Sequence, residues 1–165
     1  MSAIADFRLI ETSKLNDLKK AAEITVKKGF FKKTVIDNYH QYLDSKSTVV
    51  QEFDESGYVF ANLLMFLQEK KNIDLLNSEY DAIANDICEK RQNSNIFLTK
   101  AHKDKYLDLL VPANYSLDEL VEYNVEFSED NDPEFAKAEL KGIAAIRESL
   151  KSIPDDNFVV ILSVG

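Results

Sequence analysis

Residues 53–71 read FDESGYVFANLLMFLQEKK, and this stretch decides the fold. Spaced as a helix, its apolar residues fall on two adjoining stripes, so at least half of the helix surface is apolar. Asp54 is the expected cap of this helix, and Phe53 before it is expected to pack on Tyr58. A helix that is apolar nearly all round belongs at the centre of a domain. We therefore predict a buried central helix over residues 58–70.

Strand patterns stand near both ends of the chain. Residues 6–11 carry three large apolar side chains without helical spacing, and residues 158–164 form an almost unbroken apolar run. Such a run is stable only when both of its faces are covered or when it lies in the middle of a sheet. The sequence therefore predicts a small sheet from the N- and C-terminal strands.

Amphipathic helices are expected over most of the remaining chain. Their expected caps are Thr12-Ser13, Thr34, Ser78, Thr99, Ser116 and Asp132. The first helix is expected to run through Val26 to a stop at Gly29, and Phe127 is expected to face inward on the helix after Ser116. Residues 45–51 fit either a last helical turn or a short strand.

These patterns predict one domain over residues 1–165, because no repeat and no Gly/Ser/Pro linker divides the chain. The expected fold class is α+β with helix dominant, with about six amphipathic helices around the central helix and a small sheet from the terminal strands. The alternative is an all-α fold in which those strands are minor extensions.

The charge of the chain limits its partners. Acidic residues outnumber basic ones by 29 to 20, giving a net charge of −9. Binding to phosphate backbones needs clustered Lys and Arg, so no nucleic acid is expected. The longest apolar run, residues 58–67, is about half of the roughly 20 residues that cross a bilayer. No signal-peptide pattern occurs in residues 1–15, and Cys88 is the single cysteine, so we expect a cytoplasmic protein that does not span a membrane.

The charges are unevenly distributed along the chain. Residues 106–136 contain nine Asp and Glu and no Lys or Arg. Residues 14–33 contain seven lysines against Asp17 and Glu23, which gives a local charge of +5. The sequence therefore predicts a molecule with an acidic and a basic region.

Motifs for catalysis or cofactor binding are not found in the sequence. The four glycines are too far apart for a phosphate-binding loop, and no serine is flanked by glycines as in a nucleophile elbow. Cys88 lies among apolar residues, which is typical of an inert thiol. The best spacing for a metal is Asp37, His40 and Asp44 on one helical face, but it is not repeated as di-metal bundles require. We expect no cofactor and no metal.

The acidic region holds the candidate site. Its predicted partner-binding carboxylates are Asp118, Glu122, Glu126, Glu129, Asp130 and Asp132. Like charges four residues apart on a helix destabilise it by a few tenths of a kcal/mol each, and acids near its C-terminus oppose the helix dipole. A cationic partner would offset both costs. A solvated face, or one paired to the lysines of residues 14–33, is the simpler interpretation.

The functional hypothesis is a non-enzymatic acidic protein that binds a basic protein, such as a small bacterial immunity or inhibitor protein that neutralises a basic toxin. It rests on size, charge and the lack of catalytic motifs. One alternative is a small enzyme or metal-binding protein that uses Asp37, His40 and nearby carboxylates. Another is an accessory domain whose acidity serves only solubility. The sequence does not predict an oligomeric state.

Overall fold

A computed structural model describes residues 3–28 and 32–165. Within these ranges the α-helices are α1 Leu15–Ala21, α2 Tyr39–Lys46, α3 Val59–Lys71, α4 Asp81–Arg91, α5 Lys100–Tyr106, α6 Leu117–Ser128 and α7 Pro133–Ser152. The strands are β1 Ala5–Glu11, β2 Thr25–Lys28, β3 Lys33–Ile36, β4 Ser47–Gln51, β5 Ser94–Leu98 and β6 Phe158–Val164. This is the predicted α+β fold with helix dominant.

The terminal strands pair with each other in the middle of the main sheet. Four strands lie in the order β4-β1-β6-β5, and all neighbours are antiparallel. Leu162 of β6 is opposite Phe7 of β1 on one side and Ile96 of β5 on the other. The prediction that the two ends of the chain form the sheet is confirmed, and β6 is one of its two central strands.

Helices cover both faces of this sheet. Val160 and Leu162 of β6 pack with α3, α5, α6 and α7, whereas Val159 and Ile161 pack with α1, α2 and α4. All four side chains are buried. Because successive side chains of a strand point to opposite faces, a strand with a helical layer on each side must be apolar throughout.

The central helix is confirmed as α3, with seven of its side chains buried against the sheet and α7. Gly142 of α7 allows close packing there, because a Cβ atom at Gly142 would lie 2.8 Å from Cδ2 of Leu63. The predicted start at residue 58 agrees with α3 to within one residue, but the predicted capping by Asp54 and the packing of Phe53 on Tyr58 are wrong. Tyr58 is the N-cap and no side chain caps it, and the ring of Phe53 packs on Phe60 at 4.8 Å between centroids.

Two of the predicted helices are wrong in their bounds. The first ends at Ala21, and residues 25–28 form β2; the expected stop at Gly29 lies outside the described residues. The second begins at Tyr39, because residues 33–36 form β3. Isoleucine, valine and threonine concentrate in these two segments, and β-branched side chains favour strands. The undecided residues 45–51 fall mostly in β4.

Three predicted helix starts are confirmed by their caps. Thr99 and Ser116 each form a capping box, the first with His102 and the second with Glu119. Asp132 accepts a hydrogen bond at the start of α7, with Pro133 as its first residue. Within residues 3–28 and 32–165, no helix has the length and apolar character needed to cross a membrane.

Candidate protein-binding surface

Helix α6 carries the acidic region on the outside of the molecule. Its start is fixed by the capping box, in which the backbone N–H of Glu119 donates to Oγ of Ser116 and that of Ser116 donates to the Glu119 carboxylate. Leu120, Tyr123 and Asn124 are buried, so the opposite side of the helix faces solvent. Asp118, Glu122 and Glu126 lie on that exposed side.

The other three predicted carboxylates follow directly after α6. Glu129 is the C-cap, held in the left-handed conformation with φ of 58°, and Asp130 and Asp132 lie in the short connection to α7. Five of the six predicted residues are exposed, and Asp130 is half-buried. We call these six carboxylates, together with Val125 and Phe127, the acidic surface.

Three of the six carboxylates have roles inside the molecule. Glu126 pairs with Lys70 of α3 at 3.2 Å. Asp130 accepts a hydrogen bond from the backbone N–H of Asp132 at 2.8 Å, and Asp132 accepts one from Glu134 at 2.9 Å. Part of this acidity therefore serves the fold, as the simpler interpretation expects.

The remaining carboxylates are Asp118, Glu122 and Glu129. In the described part of the chain, no hydrogen bond or ion pair engages their side chains. Asp118 and Glu122 are four residues apart on the same helix, where like charges repel. Glu129 lies at the negative end of the helix dipole. These three are the charges that a cationic partner would stabilise most.

Two large apolar side chains of α6 are also half exposed. Val125 is 47 % exposed and Phe127 is 46 % exposed. The ring of Phe127 stacks on Tyr123 with centroids 5.4 Å apart and planes 14° apart. Phe127 was predicted to face inward, which is wrong. Asn124 takes the inward position at this end of α6, where it and the exposed residue Ser128 both form hydrogen bonds with Asn62 of α3.

A buried polar network lies beneath the acidic surface. The Asn62 amide donates to Oδ1 of Asn124 at 2.9 Å and to Oγ of Ser128 at 2.7 Å. The Asn124 amide donates to Oε2 of Glu139, on α7, at 2.6 Å. These bonds connect α3, α6 and α7 and fix how the three helices pack, so they hold the acidic surface in place.

Sequence reasoning missed Glu139, which is fully buried. Its Oε1 atom has no hydrogen-bond partner among the described residues. Burial and, to a lesser degree, the charge of Asp130 raise the pKa of Glu139 to about 7, although the Asn124 hydrogen bond opposes this. A signal was present, since Glu139 falls in helical register with Ala136, Ile143 and Ile146 on the apolar stripe of α7.

On one side the acidic surface meets basic residues of α3. Lys71 pairs with Glu119 at 2.6 Å and lies near the rings of Phe66 and Tyr115. A cleft of about 240 Å³ separates α3 from α6 here, and Glu122 lines it. The α3 side of the surface is therefore partly neutralised. Of the three carboxylates named above, Glu122 lines this cleft beside the lysines, whereas Asp118 and Glu129 do not line it.

The structure gives other roles to the acids of the alternative metal site. Asp37 pairs with Arg91 at 2.8 Å and Asp44 pairs with Arg8 at 3.0 Å, while His40 packs edge-on against Tyr39. The two arginines occupy the positions that a cation would need. Within the described ranges, no three His, Cys, Asp or Glu side chains gather as they would around a metal ion.

Another cavity lies between α3 and the edge strand β5. It has a volume of about 690 Å³ and is lined mostly by apolar side chains, with Cys88 at its border. Cys88 is half-buried and accepts a hydrogen bond from the backbone N–H of Asn95 at 3.2 Å.

Comparisons of the chain with protein-family models, with curated proteins and with solved structures find no match.

Proposed function

We propose that the protein binds a basic protein partner through the acidic surface. The observation that carries this proposal is that the carboxylates of Asp118, Glu122 and Glu129 engage no partner among the described residues. On the same helix, the side chains of Val125 and Phe127 are half exposed. Protein interfaces commonly combine apolar or aromatic anchors with a polar rim.

The type of protein that best fits these features is a small immunity or inhibitor protein that neutralises a basic toxin. The net charge of −9 and its concentration on one surface support this type. Complementary charges speed the encounter of two proteins and disfavour wrong partners. Phe127 then supplies apolar contact that slows dissociation, since its ring is already held in place by Tyr123.

The test begins with affinity capture of partners from the lysate of the source organism. Association and dissociation rates of the captured protein are then measured over a salt series. Changing both Glu122→Gln and Glu129→Gln should slow association about tenfold at low salt, at the lower end of electrostatic steering effects. Phe127→Ala should mainly speed dissociation, with a loss of roughly 1–2 kcal/mol of binding free energy.

The matched control is the double change Glu52→Gln and Glu89→Gln. It alters the net charge equally, and both residues are exposed and lie away from α6. The control should leave both rates unchanged. If it slows association as much as the change at Glu122 and Glu129, or if the captured partner is itself acidic, the acidic surface is not the binding site.

A further inference from the structure

Strands β2 and β3 form a hairpin that is separate from the main sheet. Seven of its eight strand residues are exposed, and Ile36 is half-buried. Val26 is opposite Val35, and Lys28 is opposite Lys33. Side chains that are opposite each other share a face, and so do residues two apart. One face of the hairpin therefore carries an aliphatic pair next to a pair of lysines.

Among residues 3–28 and 32–165, this face lacks the packing that hairpins usually need. Ile24, Val26 and Val35 are 50 %, 50 % and 62 % exposed. A two-stranded hairpin is only marginally stable in water without packing on one face, and like charges directly opposite each other weaken it further. Lys28 and Lys33 are in that position. An anionic surface with apolar side chains would relieve both problems.

We propose that this hairpin docks on the acidic surface of a second copy of this chain. The two surfaces match in charge, because the hairpin adds the exposed lysines Lys27 and Lys32 to the pair just described. They also match in apolar character, since each exposes large side chains among its charges. The inference rests on the proposed function, because it names an occupant of the same site.

The two surfaces of one copy belong to opposite layers of the fold. The hairpin connects α1 to α2, which cover one face of the main sheet, while α6 belongs to the layer on the other face. The contact is therefore made between copies. The contact joins two different surfaces of the molecule. Two copies can therefore form a dimer that contains this contact twice, or many copies can form an open chain. The hairpin of one copy then competes with a foreign basic partner of another.

The test measures association of the full chain by sedimentation over a dilution series at low and high salt. The wild type should associate at low salt and dissociate as salt is raised past about 0.1 M. The hairpin variant carries Lys28→Glu and Lys33→Glu, and the surface variant carries Glu122→Lys and Glu129→Lys. Each should weaken association at least tenfold, or about 1.4 kcal/mol. The hairpin variant keeps like charges opposite each other, so its hairpin stability is matched to wild type.

Mixing the two variants gives the decisive result. In the mixture, the unchanged lysines of the surface variant's hairpin meet the unchanged acidic surface of the hairpin variant, and the new glutamates at positions 28 and 33 meet the new lysines at positions 122 and 129. Association should therefore return in the mixture. A control with Lys46→Glu and Lys105→Glu, at exposed positions outside the hairpin, should associate as the wild type does.

Several outcomes would overturn the inference. They are a wild type that stays monomeric, a control that weakens association as much as the hairpin variant, and a mixture that stays dissociated. The hairpin would instead be a lipid-binding element if two results were found together. The wild type would bind phosphatidylcholine vesicles only when they contained phosphatidylserine, and the hairpin variant would not bind them. The proposed function is tested by a different measurement. It is wrong if the change at Glu122 and Glu129 leaves binding of the captured partner intact.

Discussion

Glu139 of α7 is buried at the end of the polar network that joins α7 to α6 and α3. One carboxyl oxygen accepts the Asn124 hydrogen bond, and the other has no partner in the described part of the chain. A buried carboxylate with one unpaired oxygen is costly in its charged form, which is why burial raises its pKa from an ordinary value of 4.5 to about 7. The folded protein therefore holds a proton that the unfolded chain releases.

Binding of this proton makes the free energy of unfolding depend on pH. The stabilisation that it gives the folded protein is fully present below pH 4.5, the ordinary pKa of glutamate, and is lost as pH rises through about 7. Glu139→Gln, which stays neutral, should flatten this dependence and make the protein roughly 1–3 kcal/mol more stable than wild type above neutral pH. Urea unfolding over a pH series measures this. Glu148→Gln, at an exposed position on the same helix, should leave the wild-type profile intact, and an unchanged profile for Glu139→Gln would contradict the assignment.

At Gly57, neighbouring atoms leave little room for a side chain. Gly57 lies just before α3, and its N–H donates to the carbonyl of Ala3 at 2.8 Å. Another backbone approaches closely, because a Cβ atom at Gly57 would lie 3.1 Å from the backbone N of Ala5. That backbone belongs to β1 and is held by strand pairing.

Gly57→Ala should therefore destabilise the protein. A methyl group must displace the start of β1 or the side chain of Val164, and overpacking of this kind costs about 1–3 kcal/mol. The lower chain entropy of alanine in the unfolded state offsets only part of this. Thermal unfolding of both proteins measures the difference. A higher melting temperature for the variant would show that the strand end moves aside without cost.

Among the elements, β6 has a strand partner on each edge and a helical layer on each face. It pairs with β1 and β5, and residues Val159–Leu162 are buried between the two helical layers. A chain that ends at Asp156 should therefore be unfolded or insoluble, because the sheet loses a central strand and both cores are exposed. Circular dichroism and solubility of the truncated chain test this, and a soluble product with wild-type helix content would disprove it.

A pair of point variants tests the same strand at full length. Val160→Lys buries a charge without a partner and should unfold the protein, since the cost is several kcal/mol. Val49→Lys is the matched control on the edge strand β4, where the side chain is 44 % exposed. The control should change the melting temperature little. Equal effects of the two changes would mean that burial of β6 does not decide the stability.

The elements also show what could be predicted from the sequence. The helices with a capping residue before a strong apolar stripe, α5, α6 and α7, begin where predicted, because their local signals agree with their packing. The β2–β3 hairpin was missed. Val26 lies four residues after Ala22, so the helical stripe through Leu15, Leu18 and Ala22 could be extended to it. The residues of β2 are all exposed, so their burial gives no strand pattern in the sequence.

The candidate site was predicted in part. The six carboxylates lie on one side of the molecule as expected from their place in the sequence, since all of them belong to α6 or the connection after it. The exposure of Phe127 could not be predicted, because it follows from Asn124 and Ser128 bonding across to Asn62, a residue 62 positions away from Asn124. Contacts between distant segments leave no local pattern.

For the molecule as a whole, the uneven charge should make the free protein more stable in salt. Raising ionic strength from about 0.02 M to about 0.3 M shortens the screening length and weakens the repulsion among the acids of α6. It also weakens exposed ion pairs such as Lys70–Glu126, but these contribute little, whereas the net charge of −9 adds repulsion throughout. The melting temperature of the wild type should therefore rise with salt.

The double change Glu122→Gln and Glu129→Gln should reproduce part of this gain without salt. It removes the repulsion of Glu122 with Asp118 and Glu126 and the unfavourable charge at the C-terminus of α6, so a gain of about 0.5–1 kcal/mol is expected. Its further response to salt should be smaller than that of the wild type. The change at Glu52 and Glu89 separates local from overall repulsion, because it lowers the net charge equally away from α6. If both double variants melt at the same temperature over the whole salt series, the repulsion belongs to the molecule's total charge. The acidic surface would then carry no strain for a partner to relieve.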